Sequence, residues 1–241
     1  MAWFKEWFNS PYYHLLYGKR DENEAGMFIH NLVDYLRPPV GSTMLDLACG
    51  KGRHSRILSE LGFDVTGLDL SDNSIAEARK YTTDKLHFDV HDMRKPYRTN
   101  VFNYVFNLFT SFGYFENEED NIRVLQSVHD GLREGGLLIQ DYFNAEKVHE
   151  HFRQDETKLV RDICFSIHKE VVGERIIKTI AFDDKGKHCV FQEKVSLYGL
   201  DDFRDMYSQS GFEILAVFGD YNLGKFDKNV SDRLILISQK K

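Results

Sequence analysis

Leu45-Asp46-Leu47-Ala48-Cys49-Gly50-Lys51-Gly52-Arg53-His54 is the stretch on which the reading of this chain turns. The apolar run from Met44 to Ala48 reads as a buried strand, two closely spaced glycines follow, and a helix is expected near 53–61. Gly50 and Gly52 permit backbone angles and close approaches that a side chain would forbid. A strand entering a helix through such a turn puts the turn at the carboxyl end of a parallel sheet, where open α/β sheets bind ligands.

Strands and helices alternate downstream. Val65 to Asp69 is a second strand, Ser71-Asp72 opens a helix with cap-type residues, Leu86 to Val90 is a third strand and Val101 to Phe109 a fourth. The acidic stretch 116–120 begins a helix to about Leu132, Gly135-Gly136 is a turn, and Leu137-Leu138-Ile139 is a fifth strand ending near Asp141. Such βαβ units imply a parallel sheet covered on both faces. Upstream, residues 1–37 read as helical, with Trp3, Phe4, Trp7, Phe8, Tyr12, Tyr13 and Tyr17 crowded early and a stripe of Met27, Phe28, Leu32 and Leu36 stopped by Pro38-Pro39.

The texture changes after residue 145. Segments 158–171, 174–183 and 188–198 alternate apolar and polar, with turns at Gly173 and 183–186, which predicts a three-stranded antiparallel meander. A helix over 200–210 and two antiparallel strands over 212–218 and 233–238 complete the chain. The expected organisation is an N-terminal helical lid over 1–37, a core over 38–144 and 199–241, and an insertion over 145–198 that covers substrate or forms a dimer contact.

The chain has 241 residues, 42% hydrophobic, ample for a buried core. Its formal net charge of -7 argues against bulk attraction to nucleic acid. Three cysteines without a C-x-x-C pair (Cys49, Cys164 and Cys189) do not make a disulfide framework or a structural zinc site, and Cys49 reads as a buried filler. His149-Glu150-His151 stands at i,i+2 spacing, which points the imidazoles apart, so no metal is expected. No apolar run approaches a bilayer span and the N-terminus lacks a basic n-region, so a reducing cytoplasm and no membrane partner are expected.

The chemistry of the turn can be narrowed. Asp69 ends the second strand nineteen residues beyond Gly50, where an acid can accept both hydroxyls of a ribose, and Asp92-Met93 follows the third strand, placed to meet an adenine edge. A dinucleotide fingerprint wants a third glycine where Ser55 stands, and Asp46 would repel a pyrophosphate but not a sulfonium cofactor carrying an amino group. No phosphate-binding Gly-Lys-Ser/Thr occurs here.

With these residues in register, the chain resembles the class I S-adenosylmethionine-dependent methyltransferases over 40–142, and through 200–241 by strand order. Ala48 stands where that family often has glycine. The resemblance implies an α/β, Rossmann-like, seven-stranded and mostly parallel sheet whose last strand is antiparallel, with the β insertion and helical lid added. It implies S-adenosylmethionine as cofactor, bound by Asp46 and Gly50 at the methionine part, by Gly52 of the same turn, by Asp69 on the ribose, with Leu70 beside the adenine and Asp92 with Met93 at its edge. Asn107 would lie near the sulfonium, and Tyr17 and Arg20 of the lid would close over the cofactor, Arg20 pairing with its carboxylate. Tyr13, Phe109, Phe112 and Asp141 would meet the acceptor.

Asn107-Leu108-Phe109-Thr110 lacks the paired prolines found at this point in several amino-directed groups that act on bases or glutamine amides, which favours a small-molecule acceptor methylated on nitrogen or oxygen by in-line displacement. No residue declares itself a general base; Asp141, Tyr142, Asn144, His149 and His151 are candidates. Methylation of tRNA or other RNA, and a non-catalytic S-adenosylmethionine-binding regulator, stand as alternatives. Either a monomer or a homodimer is compatible with the pattern.

Overall fold

The computed structural model describes residues 3–18, 22–150 and 154–241. The expected strands form one seven-stranded sheet: β1 (Thr43–Leu47), β2 (Asp64–Asp69), β3 (Leu86–Val90), β4 (Phe102–Asn107), β5 (Leu132–Phe143), β10 (Phe212–Phe218) and β11 (Arg233–Lys240). Their order is β10-β11-β5-β4-β1-β2-β3. The central pairs are parallel, while β11 runs antiparallel to both β5 and β10. The order reverses beside β1, so the crevice beyond the carboxyl ends of β1 and β4 is the sheet's switch point.

Alternation along each strand sends side chains to two cores. Leu45, Leu47 and Val105 face α6 (Glu118–Gly131) and α8 (Leu200–Gln209), meeting Val124, Leu125, Phe203 and Met206. Met44, Val65 and Phe106 face α3 (Glu22–Leu36), α4 (Arg53–Glu60) and α5 (Asp72–Ala78), meeting Phe28, Leu32, Leu58 and Ile75. The buried stripe of α3 is Ala25, Phe28, Ile29 and Leu32, and Met27, expected within it, is exposed.

Three expectations about element bounds change. β4 stops at Asn107, because Phe109 and Thr110 take left-handed φ values of 55° and 61° that no strand accommodates. Gly135-Gly136 lies inside β5, at a bulge where the partners of Phe102 and Tyr104 are Leu132 and Leu137. The insertion carries four antiparallel strands rather than three: after α7 (Ala145–Glu150) come β6 (Asp155–Val160), β7 (Ile163–Val172), β8 (Arg175–Asp184) and β9 (Lys187–Ser196). A tight turn at Arg161, with φ 52°, splits the first expected strand in two.

The N-terminal segment folds as α1 (Trp3–Phe8) and α2 (Pro11–Tyr17), and α2 is capped by Ser10 with Pro11 at its first position. These helices pack on the inner face of the insertion, where Trp7 and Leu16 are buried with Phe165, Ile167, Ile180 and Phe182. Glu193 of β9 fastens them: its Oε1 accepts from Trp7 Nε1 and from Tyr17 Oη, each at 2.7 Å, and Lys178 pairs with it at 3.4 Å. Asn9 fastens them to the core, its Oδ1 accepting from Ser71 Oγ at 2.9 Å and from the Asn73 amide at 3.1 Å. Among the described residues no helix is long and apolar enough to cross a membrane.

Candidate active site

A cavity of about 300 Å³ opens between the carboxyl ends of β1, β2 and β3 and the two N-terminal helices. Its floor is the glycine turn. Ala48 and Gly50 adopt φ values of 61° and 58°, Gly50 lines the cavity, and a Cβ on Gly50 would meet nothing within 4 Å. Gly52 has a different task. It caps α4 with φ 78°, and a Cβ there would lie 2.6 Å from the Phe88 ring, so its bareness serves helix–sheet packing and it does not line the cavity.

Three carboxylates ring this floor. Asp46 is 1% exposed, and its Oδ2 accepts from Ser55 Oγ at 2.5 Å. Burial outweighs that bond and lifts the Asp46 carboxyl to about 6. Asp69 is half-buried, accepting from the Gly50 amide through Oδ2 and the Ser71 amide through Oδ1, each at 2.8 Å. Desolvation raises its pKa too, against the pull of those amides. Asp92 stands apart: Arg94 grips it with Nε at 3.0 Å and Nη2 at 2.6 Å, which holds its carboxyl below the usual range. Arg94 is itself braced by Asp120 at 2.9 Å. Leu70 and Met93 also line the cavity.

The roof is aromatic. Tyr13 and Tyr17 of α2 line it, as do Phe4 and Phe8 of α1. The Phe8 ring lies 5.0 Å from Tyr13 and 5.3 Å from Tyr114. His14, which the sequence reading overlooked, faces the cavity with Nε2 3.4 Å from Ser74 Oγ; burial, with Lys51 nearby, lowers it to about 4, so its imidazole is neutral at physiological pH. At the far wall the Phe109 ring stacks on the buried His54, centroids 5.0 Å apart and planes at 21°, with the Arg53 guanidinium 4.7 Å from the Phe109 ring centre.

Of the residues expected at the site, the cavity therefore gathers Asp46, Gly50, Asp69, Leu70, Asp92, Met93, Tyr13, Tyr17 and Phe109. Asn107, Phe112 and Asp141 lie behind its wall. Asn107 donates to the Leu47 carbonyl at 3.1 Å and accepts from Gln140 at 2.7 Å, tying the ends of β1, β4 and β5 together. Phe112 is buried against Phe203, 5.9 Å between rings. Asp141 is wholly buried and bonded within the protein. Two further base candidates are also committed elsewhere, Tyr142 donating to the Ser196 carbonyl at 2.6 Å and Asn144 to the carbonyls of Lys228 and Ser231. Arg20 and His151 lie outside the described residues, as does the side chain of His149.

The sequence reading missed Ser55, His14 and His54. Ser55 was visible as the departure from the third glycine, but its bond to Asp46 required the helix to be built. His91, just beyond β3, is half-buried and lines the cavity. Cys49 is buried and its thiol is pushed well up by desolvation, as suits a packing residue.

The fit to a sulfonium cofactor follows from these features. A buried carboxylate lifted to about 6 gains from a cationic amine. Asp69 presents a half-buried carboxylate, the space over Gly50 is clear, and aromatic faces suit a cation.

A family model described as a methyltransferase domain matches residues 17–217. A dTDP-3-amino-3,4,6-trideoxy-alpha-D-glucopyranose N,N-dimethyltransferase of Streptomyces venezuelae is 34% identical over 104 residues, 43% of each chain. A glycine/sarcosine N-methyltransferase of Parasynechococcus marenigrum is 28% identical over 219 residues, covering 84% of this chain and 72% of the relative. Among solved structures, an S-adenosylmethionine-dependent methyltransferase from Clostridium acetobutylicum superposes with a TM-score of 0.78 at 20% identity, over 95% of this chain and 96% of that one.

Proposed function

This chain belongs to the methyltransferase domain family and is an S-adenosylmethionine-dependent methyltransferase, and from that premise we propose that its acceptor is a nitrogen or oxygen of a small molecule, methylated by in-line displacement. The observation that carries the proposal is the single cavity joining the carboxylates of Asp46, Asp69 and Asp92 to an aromatic roof and to the Phe109 wall. In this reading Asp46 holds the amino group of the methionine part, Asp69 the ribose, and Asp92 with Met93 the adenine edge. S-adenosylmethionine supplies an activated methyl group with a good leaving group. What falls to the protein is alignment of the acceptor lone pair and exclusion of water, which orientation alone can make worth roughly 7–11 kcal/mol.

Nitrogen is the better supported atom. A hydroxyl would have to surrender its proton to a strong base, and the three carboxylates of the cavity are all assigned to the cofactor. An amine needs only to arrive unprotonated, and the neutral His14 imidazole can accept from its N–H. Of the relatives named above, one is an N,N-dimethyltransferase of a dTDP-linked amino sugar and the other a glycine/sarcosine N-methyltransferase, and both names specify nitrogen. In this reading the choice of acceptor falls to the aromatic roof that lines the cavity.

The test pairs calorimetry with S-adenosylhomocysteine and a labelled-methyl screen of small primary and secondary amines. Asp69→Ala should weaken S-adenosylhomocysteine by about 1–3 kcal/mol through loss of hydrogen bonds to a charged group. Unchanged affinity would remove the ribose assignment, and label passing only to hydroxyl acceptors would overturn the preference for nitrogen.

A further inference from the structure

Phe109 and Thr110 are consecutive residues with side chains, both in the left-handed region, at the end of the strand that faces the cavity. Such geometry is disfavoured for any residue but glycine and persists only when its surroundings over-determine it. Here the surroundings are specific. Asp141 Oδ2 accepts the Phe109 amide at 2.7 Å, and the Asp141 carbonyl accepts the Thr110 amide at 3.0 Å. Arg233 of β11 then binds both sides of the arrangement, its Nε donating to Asp141 Oδ1 at 2.8 Å and its Nη2 to Thr110 Oγ1 at 3.0 Å. Tyr221, from the β10–β11 connection, places its hydroxyl 3.4 Å from Asp141 Oδ2 and its ring 5.3 Å from the Phe109 ring.

We propose that Arg233, acting with Asp141 and Tyr221, is a positioning residue that clamps the Phe109–Thr110 turn in its left-handed form and so sets the wall against which the methyl group is presented. The proposal rests on the methyltransferase reading. Asp141 thereby serves the reaction from behind the wall rather than by touching the acceptor. Arg233 suits the task because one planar guanidinium reaches two partners at once, which a lysine ammonium at the same place does not do in a fixed geometry. The ion pair is buried on the Asp141 side and satisfied by a further amide, so it specifies a conformation instead of leaving a lone charge.

The test uses the full chain and two readouts. One is hydrogen exchange at the Phe109 and Thr110 amides without ligand; the other is the ratio of the dissociation constants of S-adenosylmethionine and S-adenosylhomocysteine, which differ only at the sulfur. In Arg233→Met, exchange at both amides should quicken at least tenfold, and the ratio should shift at least threefold against S-adenosylmethionine. Arg233→Lys should give a smaller shift of the same sign, and it carries the test if the Met variant does not fold. Thr110→Gly combined with Arg233→Met should recover at least half of the ratio, since glycine holds a positive φ unaided. Wild-type exchange and ratio in the Arg233 variants, or no recovery with Thr110→Gly, would overturn the clamp. If the wild-type protein bound neither ligand, the methyltransferase reading would fall while the exchange data still decided the clamp.

Discussion

Replacing Asp46 with asparagine isolates what its ionised carboxylate does, because the two side chains have nearly the same shape and either can accept from Ser55 Oγ. Asp46 ionises at about 6 in the folded protein, against an ordinary 3.8, with desolvation the leading cause, opposed by the Ser55 bonds and reinforced by Asp69. The lift from 3.8 to about 6 corresponds to about 3 kcal/mol. The folded value lies above the unfolded one, so between those two pH values the native state binds a proton that the unfolded chain releases. This group therefore adds stability as pH falls through about 6, in full below about 3.8, and its charge opposes folding at pH 7.

Asp46→Asn removes that opposition. The variant's stability relative to wild type should rise from near zero at pH 4 to about 3 kcal/mol at pH 7, on the order of 6–12 °C in melting temperature for a chain of this size. Thermal unfolding of both proteins at several pH values between 4 and 7.5 measures it, and taking the difference cancels the other carboxylates. The same variant should lose at least tenfold in affinity for S-adenosylhomocysteine at pH 7, because the cost of the charge is offset only when a cationic amine arrives. Wild-type affinity should itself fall as pH drops below about 6, where Asp46 protonates. A stability difference flat across pH, or binding indifferent to the substitution, would refute the reasoning. Greater stability with poorer binding is the signature of a strained site kept for function.

Two further outcomes are expected. Ala48→Gly should stabilise the protein by roughly 1 kcal/mol, since a methyl-bearing residue at φ 61° carries a steric cost that glycine escapes; a lowered melting temperature would show that the Ala48 methyl contributes packing instead. Asn9→Ala removes the acceptor for Ser71 Oγ and the Asn73 amide and loosens the roof, so stopped-flow dissociation of S-adenosylhomocysteine should quicken several-fold; an unchanged off-rate would mean that α1 and α2 do not gate the cavity.

The parts of this site that sequence made legible are those that sit on regular elements. Asp46 stands one residue inside the end of its strand, Asp69 closes the next and Asp92 follows the third, and the apolar runs that define those strands also fix where each acid stands. The final antiparallel pair was readable because the glycine- and asparagine-rich connection between β10 and β11 had no helical period. What escaped depends on contacts remote in the chain. His14 reaches the cavity only because Glu193 and Asn9 dock the N-terminal helices, and Glu193 lies 186 residues from Trp7. Asp141 reads in the sequence as an acceptor contact and a base candidate at a strand end, but its partner in the structure is Arg233, 92 positions away.

The two misjudged strand ends share one cause. Val101–Phe109 and 158–171 are rich in residues that favour extended backbone, and propensity alone carries each strand past its true end. In both places the chain turns through a left-handed residue that is not glycine: Phe109 and Thr110 in one case, Arg161 in the other. No glycine or proline announces either bend, although Asp162 stands beside Arg161. At Arg161 the hairpin pairing of β6 with β7 accounts for it, and the consequence is one extra strand behind the N-terminal helices. At Phe109 no hairpin exists, and the left-handed pair is held by an ion pair reaching from β11. A bend that sequence does not favour and that a half-buried arginine maintains lies beside the cavity, where wall geometry governs the reaction, and this is where local rules are expected to yield to function.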